Sequence, residues 1–231
     1  ARILELAHPF GAAEVAESID MLVEADSLEE ATIKLLLVGG GEPLYIVYSS
    51  PLPAYPEEYY KNGIAVITYR GERILPRAKS NCLLLNYLAG RAASRSGAVE
   101  ALLVDRNGMA TEGTRSNLYA VRNGEVVTAE EDVLYGVTRK HVLEIAEREG
   151  VGLRFEKLPV QALTDGTFSE LFISSTSMGA MPVALVDGKR VGGEKVGDGR
   201  VGGDEGGGAF PVARLLNDAL VEAEEREIGG R

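Results

Sequence analysis

RNGMATEGTRSNLYAVRNG, residues 106–124, is the stretch on which the reading of the fold turns. Two Arg-Asn-Gly triplets bracket it. Asn-Gly pairs supply the positive-φ residues that tight hairpins require, so each triplet reads as a turn between strands. Between them the polar run Thr111-Glu112-Gly113-Thr114-Arg115-Ser116-Asn117 interrupts strand-like sequence. Glycine and acidic residues are depleted in strand interiors. Taken alone, a Glu-Gly pair there is a solvated turn, and Glu112 needs a further reason to be anything else.

The bulk properties narrow the setting. With 231 residues the chain can form one large or two small domains with a buried core. Its hydrophobic (45%) and charged (26%) fractions suit a globular protein. The net charge of −11 argues against nucleic acid as the main partner, although a local pocket can still take an anion. A single cysteine, Cys82, excludes an intrachain disulfide and is compatible with the reducing cytoplasm. No apolar run approaches the ~20 residues of a membrane span, and no signal-peptide pattern opens the sequence. The opening "ARILELA" reads as mid-helix, so N-terminal residues are expected to be missing.

Helical and strand periodicities alternate along the chain. Val15, Ile19, Leu22 and Val23 predict an amphipathic helix over roughly 12–25. "TIKLLLV" (32–38), "PLYIVYS" (43–49) and "GIAVITY" (63–69) read as strands of a small first unit with antiparallel pairs. "GERILPRAKS", with its proline and basic residues, reads as a linker. A helix fits roughly 80–96, with Leu84, Leu88 and Ala92 on one face and Gly97 ending it. "GVTRKHVLEIAEREG" (136–150) predicts a helix capped by Thr138, with Val142, Ile145 and Ala146 sharing a face. Further strands, a glycine-rich loop (192–208) expected to be mobile, and a closing amphipathic helix complete an α/β or α+β pattern. Strands do not alternate cleanly with long helices, so a doubly wound parallel sheet is disfavoured.

Several kinds of chemistry drop out. His8 and His141 are the only histidines, and neither has a carboxylate or thiol at ligand spacing, so no metal site is expected. There is no G-x-S-x-G elbow, Walker A loop or strand-following G-x-G-x-x-G. Three weaker features remain. "GVTR" (136–139) opens a helix, where backbone N–H groups and the Thr138 hydroxyl form an anion cup or an ordinary N-cap. "SSTSMG" (174–179) puts hydroxyls at Ser174–Ser177 after a strand, suiting a phosphate, a carboxylate or a plain polar turn. Lys79, at an expected domain seam, can lose solvent and become a usable amine, although most such lysines are surface residues.

Their order carries more than any one of them. A lysine, then "EGTRSN", then "GVTR", then "SSTS" resembles the class IV (fold type IV) pyridoxal-phosphate (PLP) enzymes. These include branched-chain and D-amino-acid aminotransferases and aminodeoxychorismate lyase. The match runs from about Lys79 to Asp187, and "KSNCLLLNYLAGRAA" looks most like the D-amino-acid aminotransferase form, with Cys82 read as a packing residue. The resemblance implies a two-domain α/β (α+β) fold. A small N-terminal α/β domain, shortened at its start, would cover 1–74, and a linker over 75–80 would carry the lysine. A larger PLP-binding pseudo-barrel domain would cover 81–231.

It also implies a site. Lys79 matches the lysine that bonds the cofactor pyridoxal 5'-phosphate and shuttles a proton between Cα and C4′. Glu112 matches the carboxylate on the pyridine nitrogen. Val137 and Thr138 match a backbone N–H and a hydroxyl on the phosphate, and Thr176 with Ser175 the second phosphate turn. Ser177 and Met178 match the turn that faces the substrate carboxylate. "ARILELA" resembles the end of a His-x-x-Arg-Leu helix, which makes Arg2 a phosphate ligand although the motif's histidine is absent.

The activity implied is transfer of an amino group between a branched-chain or D-amino acid and a 2-oxo acid. Aminodeoxychorismate lyase is the alternative, and an inactive or PLP-less binding scaffold the second. A cytoplasmic homodimer without nucleic-acid or membrane partners is implied as well. The family's first strands have no counterpart here, and a lysine, Lys34, stands where a carboxylate-recognising basic residue is common, so specificity does not carry over.

Overall fold

The computed structural model describes residues 1–192 and 210–229. Beyond Gly192, the glycine-rich stretch expected to be a mobile loop lies outside the described residues. The chain divides into two compact units, Ala1–Ala54 and Tyr55–Arg231.

In the first unit a 3-10 turn, Arg2–Leu4, is followed by α1 (Ala12–Asp26) and by strands β1 (Thr32–Val38) and β2 (Leu44–Ser50). The strands pair antiparallel from Thr32↔Ser50 to Val38↔Leu44. The Ser18 Oγ on α1 lies 2.8 Å from the Tyr45 hydroxyl on β2, fixing helix to hairpin.

The second unit runs α2 (Glu57–Asn62), β3 (Ile64–Arg70), α3 (Leu84–Arg95), β4 (Glu100–Val104), β5 (Met109–Gly113), β6 (Asn117–Arg122), β7 (Glu125–Thr128), α4 (Val137–Arg148), β8 (Leu153–Phe155) and β9 (Leu158–Pro159). It continues through β10 (Glu170–Ser175), β11 (Gly179–Val186), β12 (Lys189–Arg190) and α5 (Pro211–Gly229). Six strands close on themselves in the order β6-β10-β11-β3-β4-β5, because β5 also pairs with β6. A closed ring leaves no free edge among its members. Alternation along each strand splits the core in two. Val66, Leu102, Ala110, Leu118, Ile173 and Val183 pack together from all six ring strands. Tyr119, Val121 and Phe172, one residue out of phase, pack with Val142 and Ile145 of α4 and Leu216 of α5.

Four expectations are corrected. The boundary falls at 54/55 rather than 74, because β3 runs parallel to both β4 and β11 and so belongs to the ring. The 75–80 segment is therefore internal to the second unit. On α3, Leu84 and Leu88 are exposed, while Ala89 and Ala93 are buried against Ala101 and Leu103. Small residues let the helix approach the barrel, with Leu85 packed beside them, while Leu84 and Leu88 point outward. The cap of α4 is Gly136 and not Thr138, which lies inside the first turn. Finally, most of the polar run is strand: Thr111, Glu112 and Gly113 belong to β5 and Asn117 to β6, leaving only 114–116 as the turn.

Candidate active site

Glu112 lies near the end of β5 and pairs across the sheet with Asn117. It is one of the few buried carboxylates, with 4% of its surface exposed. Each oxygen has a partner. Oε1 accepts from Arg73 Nη1 at 2.9 Å and Oε2 from the Leu134 N–H at 2.9 Å. A carboxylate has about four lone-pair sites, so acceptor capacity remains. Burial pushes the carboxyl above its ordinary value of 4.5, opposed by the Leu134 N–H, Arg73 and the nearby Lys79 charge. Arg73 also links this carboxylate to the Lys79 segment, since its Nη2 donates to the carbonyl of Ala78, the residue before Lys79, at 2.8 Å. Lys79 itself is exposed, and so is Cys82, which corrects the packing role read for the cysteine.

The residues around Glu112 are fixed from below. Glu100, 1% exposed, accepts from the Thr114 hydroxyl at 2.6 Å, the Thr114 N–H at 3.2 Å and the Ser116 hydroxyl at 3.2 Å. Asn86 Nδ2 donates to the Thr114 carbonyl. A Cβ on Gly113 would fall on Ser116 Oγ, with Glu100 Cγ and Cδ 3.1 Å away, so glycine follows Glu112 because the turn folds back over it. Asn117 Nδ2 donates to the Leu134 carbonyl at 2.7 Å, tying the turn to the loop before α4 rather than to the next strand. Leu134 is thus gripped at its N–H by Glu112 and at its carbonyl by Asn117, two residues before Gly136 starts the helix.

The N–H groups of Val137, Thr138 and Arg139 open α4, and no side chain caps them. The Thr138 hydroxyl lies 3.5 Å from that of Thr176, in the turn between β10 and β11. Ser175 and Ser177 hydroxyls are also 3.5 Å apart. Among the described residues the N–H groups of Thr176 and Ser177 make no backbone hydrogen bond. The structure therefore brings two sets of uncommitted donors together around paired threonine hydroxyls, a setting for a phosphate. Met178 differs from the expectation placed on it. Its N–H donates to the Ser175 carbonyl at 3.0 Å, its own carbonyl accepts from the Tyr60 hydroxyl at 2.9 Å, and its side chain is buried. It holds the turn and has no donor to offer. On the far side of the turn, Asn217 of α5 accepts from the Ala180 N–H at 3.0 Å. Arg2 lies in the first unit's opening turn and is exposed.

Arg139, directly after Thr138, is buried; Nη2 donates to the Ala129 carbonyl at 2.9 Å, and Nε has no partner among the described residues. Its guanidinium lies 5.3 Å from the Tyr135 ring, whose centroid Arg77 approaches to 4.1 Å. Sequence reading missed Arg73, Glu100, Tyr60 and Asn217. Glu100 alone left a trace, as a charge starting an otherwise apolar strand. Among the described residues no three His, Cys, Asp or Glu side chains gather as a metal site, and no helix is long and apolar enough to cross a membrane.

The family model described as amino-transferase class IV matches residues 1–186. The chain belongs to the class IV aminotransferases. Within that family it is 30% identical to the D-alanine aminotransferase of Bacillus licheniformis over 196 residues, covering 79% of this chain and 68% of the relative. It is 31% identical to a putative branched-chain-amino-acid aminotransferase of Methanocaldococcus jannaschii over 194 residues, 75% of this chain and 66% of that one. The chain thus spans about two thirds of the length of these relatives. Among solved structures, a T.th. branched-chain amino acid aminotransferase with pyridoxamine 5'-phosphate superposes with a TM-score of 0.81 at 27% identity, covering 96% of this chain and 74% of that one. The donors at the α4 start and at Thr176 suit the phosphate of such a cofactor, and Glu112 suits its ring nitrogen.

Proposed function

We propose that this class IV aminotransferase moves an amino group between an amino acid and a 2-oxo acid with pyridoxal 5'-phosphate as cofactor. The observation that carries the reading is the buried Glu112 carboxylate, tied through Leu134 to an uncapped helix start and through Arg73 to the Ala78 carbonyl beside Lys79. When bound, the cofactor takes up the electron pair left at Cα as the substrate loses its proton.

The chain's own residues do the rest. Val137 and Thr138 bind the phosphate through N–H and hydroxyl, with Thr176 and Ser175 closing the other side. This binding energy, far from the reacting carbon, fixes the ring's orientation. Glu112 holds a proton on the ring nitrogen, since a carboxylate beside that atom favours its cationic form. Lys79 Nζ would be the amine that holds the cofactor between turnovers and the base that would move the proton at Cα. Ser177 offers its N–H to the substrate carboxylate.

A homodimer is part of the same reading. On α3, Leu84 (70% exposed), Tyr87 (59%) and Leu88 (46%) form an unpartnered apolar stripe at i, i+3, i+4 spacing. A cytoplasmic location fits the single free cysteine.

The test is reconstitution with pyridoxal phosphate, followed by half-reactions with D-alanine, L-leucine and aminodeoxychorismate. Conversion of an amino acid to its 2-oxo acid, with loss of the visible band and its absence in Lys79→Ala, supports the reading. Turnover of the chorismate derivative alone would overturn it.

A further inference from the structure

We propose that Arg73 is a positioning residue, whose single guanidinium fixes the Lys79 segment to Glu112. This rests on the functional reading above. Between β3 and α3 the chain runs from Gly71 to Leu83 without a regular element, and Lys79 lies on that connection. Its base is anchored: the Gly71 N–H donates to the Val104 carbonyl at 3.0 Å, and Glu72 accepts from the Arg106 backbone N–H at 2.7 Å, with further bonds from its guanidinium. From there Arg73 reaches three acceptors at once. Nη1 donates to the Pro76 carbonyl at 3.1 Å and to Glu112 Oε1 at 2.9 Å, and Nη2 donates to the Ala78 carbonyl at 2.8 Å.

Ala78 immediately precedes Lys79 and is buried. The guanidinium therefore sets how far the lysine backbone stands from the Glu112 carboxylate. The loop does not take this path for free. Leu75 has φ 52°, a left-handed conformation that an L side chain rarely adopts, and such strain persists where surrounding bonds over-determine it. The Arg73 bonds to carbonyls 76 and 78 follow directly on that turn. The Arg73 side chain is 11% exposed and that of Glu112 5%, so the ion pair is shielded from water.

Arginine is required by geometry. Its rigid planar fork presents two nitrogens in fixed directions, one toward the carboxylate and one toward the lysine loop. Lysine has one nitrogen and cannot serve Glu112 and the Ala78 carbonyl in those two directions. Coupling then continues from Glu112 to the Leu134 N–H and so toward the helix that starts at Val137.

The test measures cofactor attachment rather than turnover. Apo-protein is incubated with pyridoxal phosphate and reduced with borohydride, and the modified lysine is located by peptide mass mapping. The expected result is attachment at Lys79 in wild type, a rate at least fivefold lower in Arg73→Met, and recovery of that rate with ~20 mM guanidinium chloride. Arg73→Lys, which keeps the charge and the aliphatic stem, is expected to melt like wild type and still attach cofactor at least fivefold more slowly. Wild-type attachment rates at Lys79 in both variants would overturn the positioning role. Failure of wild-type protein to be modified at Lys79 would instead overturn the functional reading.

Discussion

Gly136 offers a sharp test of how the cofactor helix is held. Its φ of −65° and ψ of 149° are open to any residue, so alanine there brings no backbone strain. The cost comes from space. A Cβ at this position would stand 2.7 Å from Asn117 Oδ1, and an ordinary contact of 3.4 Å requires the carboxamide to withdraw by 0.7 Å. The same carboxamide makes the 2.7 Å bond from Asn117 Nδ2 to the Leu134 carbonyl, which its withdrawal is expected to break. Breaking it and leaving the part-buried amide unsatisfied costs about 1–3 kcal/mol. For a chain of this size a melting point falls roughly 2–4 °C per kcal/mol, so Gly136→Ala is expected to melt about 2–12 °C lower. Differential scanning calorimetry of cofactor-free protein reads this directly. Asn117→Ala removes the carboxamide beforehand, so in that background the glycine substitution is expected to add less than about 1 kcal/mol. A Gly136→Ala protein melting within a degree of wild type, or a penalty undiminished by Asn117→Ala, would refute this account of the Asn117–Leu134 tie.

Three further outcomes are expected. Thr138→Val should weaken pyridoxal phosphate binding about ten- to a hundredfold by equilibrium dialysis, in line with one lost charge-assisted hydrogen bond; Val137→Ala, which keeps the N–H, should leave it unchanged. Tyr60→Phe removes only the hydroxyl that holds the Met178 carbonyl, worth about 1 kcal/mol, so cofactor affinity is expected to fall by about three- to tenfold with circular dichroism unaltered. Equal affinity would show that the turn is held without it. The raised Glu112 carboxyl means that the folded state holds its proton to higher pH than the unfolded chain. Its contribution to stability is full below 4.5 and is lost as pH rises through the folded value. Cofactor-free Glu112→Gln should therefore gain on wild type in unfolding titrations as pH climbs from about 4.5 toward neutrality, and a difference independent of pH would contradict the shift.

Much of this was legible from residue patterns. The periodicities placed α1, β1–β3, α4 and α5 close to their observed bounds, because each buries one face against a partner and the pattern records that burial. Glu112 and the Thr138 and Thr176 turns were singled out by their order along the chain; the structure buries the first and brings the two threonine hydroxyls to 3.5 Å. The misses have physical causes. β3 looks identical whether it pairs with β2 or with β4, since strand pattern records burial and not partners. On α3 Leu84 and Leu88 suggested an inward face, but close packing selected Ala89 and Ala93, with Leu85 beside them, and left those two leucines outside. Thr138 has a capping side chain, yet the loop geometry set by Asn117 moved the cap to Gly136. Arg73 was hidden among the basic residues of an apparent linker; nothing in its local sequence tells a guanidinium that spans three acceptors from one that is solvated.

The turn that carries Thr176 and Ser177 is braced by Asn217, and no residue of α5 belongs to the cup itself. During synthesis, every residue assigned to cofactor or substrate leaves the ribosome before that brace exists. A nascent chain paused ahead of residue 211 would carry Lys79, Glu112 and both threonines and would still lack the Asn217 bond at Ala180, which follows the second turn. The bond at Ala180 is thus among the last, in sequence order, of those that hold this end of the barrel, made after every residue assigned to the cofactor has been synthesised.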